Sequence, residues 1–245
     1  MSISYNDLIN KLDSIRFEEK KFGLWTETGK TAMVMTSKGS GNPAGEMTSF
    51  RAIYMTVSDL SWKIKVSLQI AGGYAIENEN GFNPFDPIDN KKRGAIYYIE
   101  NALFRETSLW DMLAQGYRVL YDVKKNLKNN KIDINNVKYK SFFDPAKTPH
   151  TRFEKEADEI YQYVTGDNWH SLVSEIRNQM MHKFSPNIPI MSNYTMNLPY
   201  PLTVQIQAIL EDFIVVSSFL HSLFETAELQ ILSGLQEENN VQTNL

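Results

Sequence analysis

The stretch SFRAIYMTVSDLSWKIKVSLQIAGGYAI, Ser49 to Ile76, decides the fold class. It admits two periodicities. Trp62, Ile64, Val66, Leu68 and Ile70 alternate as a half-buried strand would. Over the longer window Ile53, Val57, Leu60, Ile64, Leu68 and Ala71 recur at helical spacing. No turn signal nearby supplies a partner strand, and a lone strand leaves its backbone donors and acceptors unpaired. The segment therefore reads as helix.

Apolar residues three and four apart dominate the rest of the chain. They predict a first helix over about Tyr5 to Phe22, then a Gly-, Ser- and Thr-rich loop to about Met47. ENENGFNPFDPIDNKKRG, Glu77 to Gly94, is a loop by its Asn, Pro and Gly content. The longest periodic segment follows, about Ala95 to Leu127. Ile96, Ile99, Leu103, Trp110, Leu113, Tyr117, Leu120 and Leu127 point to a core, and Tyr97, Tyr98 and Phe104 are assigned to packing with them. A lysine-studded loop covers Asn129 to Pro149. Helices are expected over about Arg152 to Val164 and Asn168 to His182, the second capped by Asp167. After the interruption SPNIPIMSNYTMNLPYP, a final helix runs from about Leu202 to Ser233 into a polar tail. There is no internal repeat. The expectation is a single all-α domain over residues 1–245, an up-and-down helical bundle with long loop elaborations, its segments 1–47 and 234–245 peripheral.

The composition narrows the function. Net charge is −4, so binding nucleic acid by overall charge is excluded. The charge is uneven, however. Arg118 to Lys147 holds eight basic residues and three acids, whereas Phe184 to Leu245 holds six acids and no lysine or arginine. A polyanion would meet the middle of the chain, with Lys124, Lys125 and Lys128 as candidate contacts; a solvated loop is the plainer reading of such a run. With no cysteine, disulfides, thiolate metal sites and cysteine nucleophiles are excluded. The N-terminal segment reads as a charged amphipathic helix and not a signal peptide, and the apolar run Phe213 to Phe224 is too short for a membrane span. A cytoplasmic protein without membrane partners is expected.

Several motifs fail. GLWTETGKT, Gly23 to Thr31, places five residues between its first glycine and Gly-Lys where a phosphate loop needs four, and no strand precedes it. The histidines His150, His170, His182 and His221 form neither an HExxH nor a Glu-x-x-His pair, and His221 with Glu225 reads as a surface pair. A Ser-His-Asp arrangement stays open, although nothing marks a nucleophile elbow. No metal and no cofactor are expected.

SEIRNQMMHKF, Ser174 to Phe184, survives. Asn178 and His182 are four apart and share a helix face, and the long side chain of Arg177 can reach the same patch. In the last turn, His182 lies at the negative end of the helix dipole, which favours its protonated form by about 0.3–1 kcal/mol. A histidine near neutrality moves protons, and an arginine fork holds a phosphate. The set suits attack by a ribose 2′-OH on its neighbouring phosphate. The same residues also fit a helix end that satisfies neighbouring carbonyls.

RNQMMH resembles the Arg-x4-6-His signature of the HEPN superfamily, the higher eukaryote and prokaryote nucleotide-binding domains, including the polar residue after the arginine. Tyr97 to Gln115, YYIENALFRETSLWDMLAQ, resembles the long second-helix region of bacterial members more loosely. The resemblance implies a helical bundle and a metal-independent endoribonuclease that works as a homodimer, with two motifs facing each other. Arg177 would grip the scissile phosphate, His182 would handle protons and Asn178 would orient one of them. Glu100, Arg105 and Asp111 are candidate supporting contacts. Roles as a toxin or phage-defence effector, and an antitoxin or regulatory partner, are implied as well. One departure is Phe184, which stands where members controlled by nucleotide attachment carry a tyrosine. Two other readings stay open: a HEPN-like module that binds nucleotide or RNA without cutting, and a helical protein-interaction module.

Overall fold

Residues 43–75 form one helix, so the helical period of the deciding stretch prevails over the alternating one. Val57, Ile64, Leu68 and Ala71 are fully buried, while Trp62, which a strand would have placed beside Ile64 in the core, is 62% exposed. The computed structural model describes residues 3–17, 22, 43–76, 89–121, 138–148, 152–182, 187, 190–192, 195–197 and 199–242. It describes backbone alone at 43–47, 181, 182, 190–192, 195–197, 232 and 234–242. The phosphate-loop look-alike, Lys124, Lys125, Lys128, His150 and Phe184 lie outside the described residues.

Among the described residues the elements in order are α1 (Tyr5–Ser14), α2 (Pro43–Ala75), α3 (Asn90–Leu120), α4 (Tyr139–Phe142), α5 (Glu154–Thr165), α6 (Trp169–His182), the antiparallel strands β1 (Ile190–Ser192) and β2 (Thr195–Asn197), and α7 (Leu202–Gln242). The protein is all-α apart from that short hairpin. Helices α2, α3 and α7 pack on one another, α1 lies on α2, and α6 packs on α7 and α3.

Helix ends depart from the sequence reading for local reasons. α1 opens where the Ser4 hydroxyl accepts the Asp7 N–H at 3.1 Å. It stops at Ser14, short of Phe22, because the chain turns extended at Ile15, whose carbonyl accepts a hydrogen bond from the Lys65 ammonium. Ile15 and Phe22 then enter the core, Phe22 against Phe50 and Phe224. α3 begins five residues earlier than Ala95, because the Asp89 carboxylate accepts the Lys92 N–H at 2.7 Å. The N-cap of α6 is Asn168 and not Asp167, its side-chain oxygen accepting the His170 N–H at 2.9 Å. α7 continues to Gln242, through much of the segment expected as tail.

On α3, Ile99, Leu103, Trp110, Leu113 and Tyr117 are buried as expected. Tyr97 and Phe104 correct the packing assignment: they are 61% and 42% exposed, since seven-residue spacing carries both to the outer face. Leu202–Ile231 is long and apolar enough to cross a membrane by length and composition, yet 61% of its apolar window is buried by the bundle.

α3 approaches α7 closely at Gly116, where an added Cβ would stand 2.4 Å from Leu223 Cδ2. Gly116→Ala would gain up to about 1 kcal/mol of helix propensity. Overpacking costs about 1–3 kcal/mol, and Leu223, itself only 1% exposed, has nowhere to retreat. The substitution is therefore expected to lower the thermal midpoint by a few degrees; an unchanged or raised midpoint would show that the helices separate freely.

Candidate functional site

The polar centre of the bundle is assembled from four helices. His170, 1% exposed, is the second residue of α6, just after Asn168, which caps the helix and also donates to the Tyr163 carbonyl at 2.6 Å. The tight link from α5 needs Gly166, since a Cβ there would stand 2.9 Å from the Gln162 carbonyl oxygen. His170 Nδ1 meets Asp212 Oδ2 of α7 at 3.0 Å and Oδ1 at 3.3 Å. Its Nε2 faces the Tyr139 hydroxyl at 2.9 Å and the Ser174 hydroxyl at 3.3 Å. The Trp110 indole N–H of α3 donates to Glu106 Oε1 at 2.6 Å and to Asp212 Oδ2 at 3.2 Å. Glu106 and Asp212 are both fully buried.

Electrostatics separate the two carboxyls. Burial holds Glu106 well above the usual carboxylate range, and the negative charge of Asp212 adds to this. Burial is the largest single influence on Asp212 and pushes it upward, but hydrogen bonds from His170, Glu106 and Trp110, with the His170 charge, together outweigh it and leave Asp212 below its ordinary value. Asp212 is thus the member of the pair that holds a negative charge more readily. Burial, with the Glu106 charge second, holds the Tyr139 hydroxyl protonated far into the alkaline range.

Ser174 joins this centre to the surface. Its hydroxyl also accepts from Lys140 Nζ at 3.2 Å, and both residues line an open groove of about 880 Å³. Asn178, Gln179, Glu175, Thr165 and Gly166 line it too. Of the motif residues, Asn178 is exposed on this groove, whereas Arg177 is half-buried and does not line it. Arg177 Nε is buried and meets no carbonyl or other acceptor among the described residues. The arginine's charge is felt at Glu106, at Asp111 and at Lys140. Burial lowers the Lys140 pKa, and the Arg177 charge lowers it further. His182 is the last residue of α6, with a side chain outside the described residues.

The supporting candidates divide. Asp111 accepts the Tyr139 N–H at 3.2 Å and so anchors α4 within reach of Arg177, its carboxyl raised by burial. Arg105 is spent on its own helix, donating to the Asn101 carbonyl at 2.7 Å and side chain at 3.0 Å. Glu100, raised by burial, is hydrogen-bonded to Asn187. His221 stacks on Phe17 at 4.4 Å and is not a bare surface partner of Glu225.

The sequence reading missed Glu106, Trp110 as a donor, Tyr139, His170, Ser174 and Asp212. Glu106 with Trp110, and His170 with Ser174, are four apart on a helix face, a spacing too common to single out. The chain matches no protein-family model, no curated protein and no solved structure.

Proposed function

We propose that the chain is a metal-independent endoribonuclease of HEPN type, cutting RNA through its own 2′-OH with Arg177, Asn178 and His182. The observation that supports this most is a cation on the groove, Lys140, with a second, Arg177, close behind it. Lys140 and Arg177 feel each other's charge, neither has a salt-bridge partner within 4 Å among the described residues, and Asn178 lies on the groove wall between open solvent and the buried centre. Adjacent cations without a direct ion pair favour an anion such as a phosphodiester. His182, one turn beyond Asn178 on α6, removes the 2′-OH proton. The 2′-oxygen attacks phosphorus, Arg177 holds the non-bridging oxygens, and the P–O5′ bond breaks as the 5′-oxygen takes up the proton carried by His182, giving a 2′,3′-cyclic phosphate. A homodimer, a cytoplasmic setting and a toxin or defence role belong to the same reading.

End-labelled RNA incubated with the protein in excess EDTA, with circular dichroism showing that the chelated chain stays folded, tests it. Fragments ending in 2′,3′-cyclic phosphate are expected, with no cutting of a 2′-O-methyl substrate. Cleavage of the 2′-O-methyl strand would sink the mechanism, and tight binding without cutting would favour the non-catalytic module. Lys140→Ala should weaken RNA binding evenly across sequences and lower the salt dependence by about one ion; an unchanged salt slope would remove Lys140 from the interface.

A further inference from the structure

We infer that Glu106, His170, Asp212 and Tyr163 form a binding site for a single divalent transition-metal ion, which clamps α3, α5, α6 and α7 together. One donor atom each from Glu106, His170 and Asp212 lie within 4.8 Å of one another, and all three residues are buried. His170 Nδ1 and Asp212 Oδ2 are 3.0 Å apart. That is the edge of a coordination polyhedron whose bonds are about 2.0–2.1 Å long. Glu106 Oε2 and the Tyr163 hydroxyl oxygen are buried beside them, and both side chains turn toward Asp212. The Tyr163 ring stacks on Trp110 with centroids 5.7 Å apart and lies 6.1 Å from the His170 ring.

Without an ion, two carboxyl groups face each other in a dry core, where like charges oppose each other; an ion between them relieves that opposition. Buried polar atoms are almost always partnered, and buried carboxylates pair with cations or metals. The outer contacts match what metal ligands require. The Trp110 N–H orients both carboxylates, and the Tyr139 hydroxyl engages the imidazole nitrogen that faces away from them. Two carboxylates, an imidazole and a phenol, without thiolate, select an ion of the Mn²⁺ to Zn²⁺ series over Mg²⁺ or Ca²⁺. With Glu106, His170 and Asp212 at most 1% exposed, no coordination position opens to substrate, so the ion is structural. The groove lined by Lys140 and Asn178 lies outside it.

The test uses the full chain, stripped with chelator and titrated separately with ZnCl₂, MnCl₂ and MgCl₂. One Zn²⁺ or Mn²⁺ retained per chain is expected, with a raised thermal midpoint and an X-ray absorption spectrum showing imidazole and oxygen donors. Glu106→Gln should weaken binding by about 100-fold or more and Tyr163→Phe by about 10–100-fold, whereas His221→Gln should not. Substoichiometric binding, equal affinity in Glu106→Gln and Tyr163→Phe, or a first shell lacking imidazole would overturn the site. Should Glu106→Gln not fold, the wild-type stoichiometry and spectrum still decide. None of these readouts uses RNA, so the outcome is independent of the ribonuclease proposal.

Discussion

Arg177→Ala and His182→Ala are each expected to slow RNA cleavage by about 10²–10⁴-fold, the usual cost of removing a positioned proton-transfer group or a charge that stabilises the transition state. Neither substitution should unfold the chain. Arg177 Nε makes no hydrogen bond that alanine would break, and removing an unsatisfied donor relieves a cost as well as forfeiting packing. Arg105→Ala is the matched control, because that guanidinium is held by Asn101 on its own helix and should leave the rate unchanged. Initial rates on labelled RNA, with circular dichroism of each variant, make the comparison. Full activity in Arg177→Ala or in His182→Ala would end the assignment. Loss in Arg105→Ala alone would move the site to α3.

Asp212→Ala should be the most damaging single change to stability, at about 3–5 kcal/mol, the range for breaking a buried charged pair on one side only. Asp212 accepts from both His170 and Trp110, so alanine strands two buried donors at once. Against a total stability of about 5–15 kcal/mol for such a domain, that loss brings the chain near unfolding. Asp212→Asn keeps one acceptor oxygen and should fall between the two. Urea denaturation gives the comparison. A loss below about 1 kcal/mol in Asp212→Ala would mean that the four-helix centre is held by apolar packing instead.

The legible parts of this protein were those governed by neighbours in sequence. Helical spacing from Ile53 to Ala71 identified α2 correctly, because a helix buries whatever recurs every three or four residues. The same logic located most of the α3 core and placed Arg177, Asn178 and His182 on one late helix. It erred at Tyr97 and Phe104, since spacing tells which residues share a face but not which faces find a partner.

The RNxxxH stretch on α6, the absence of cysteine and the helical class were thus determined by the sequence itself. Only the tertiary structure decided that Asp212 meets His170, 42 residues earlier, and that Trp110 reaches across 102 residues to the same carboxylate. Helical periodicity is a property of one segment, whereas donor and acceptor pairing in a dry core depends on how separate segments dock. A lone buried Asp, His or Glu carries no mark in its local pattern of the partner that makes its burial tolerable.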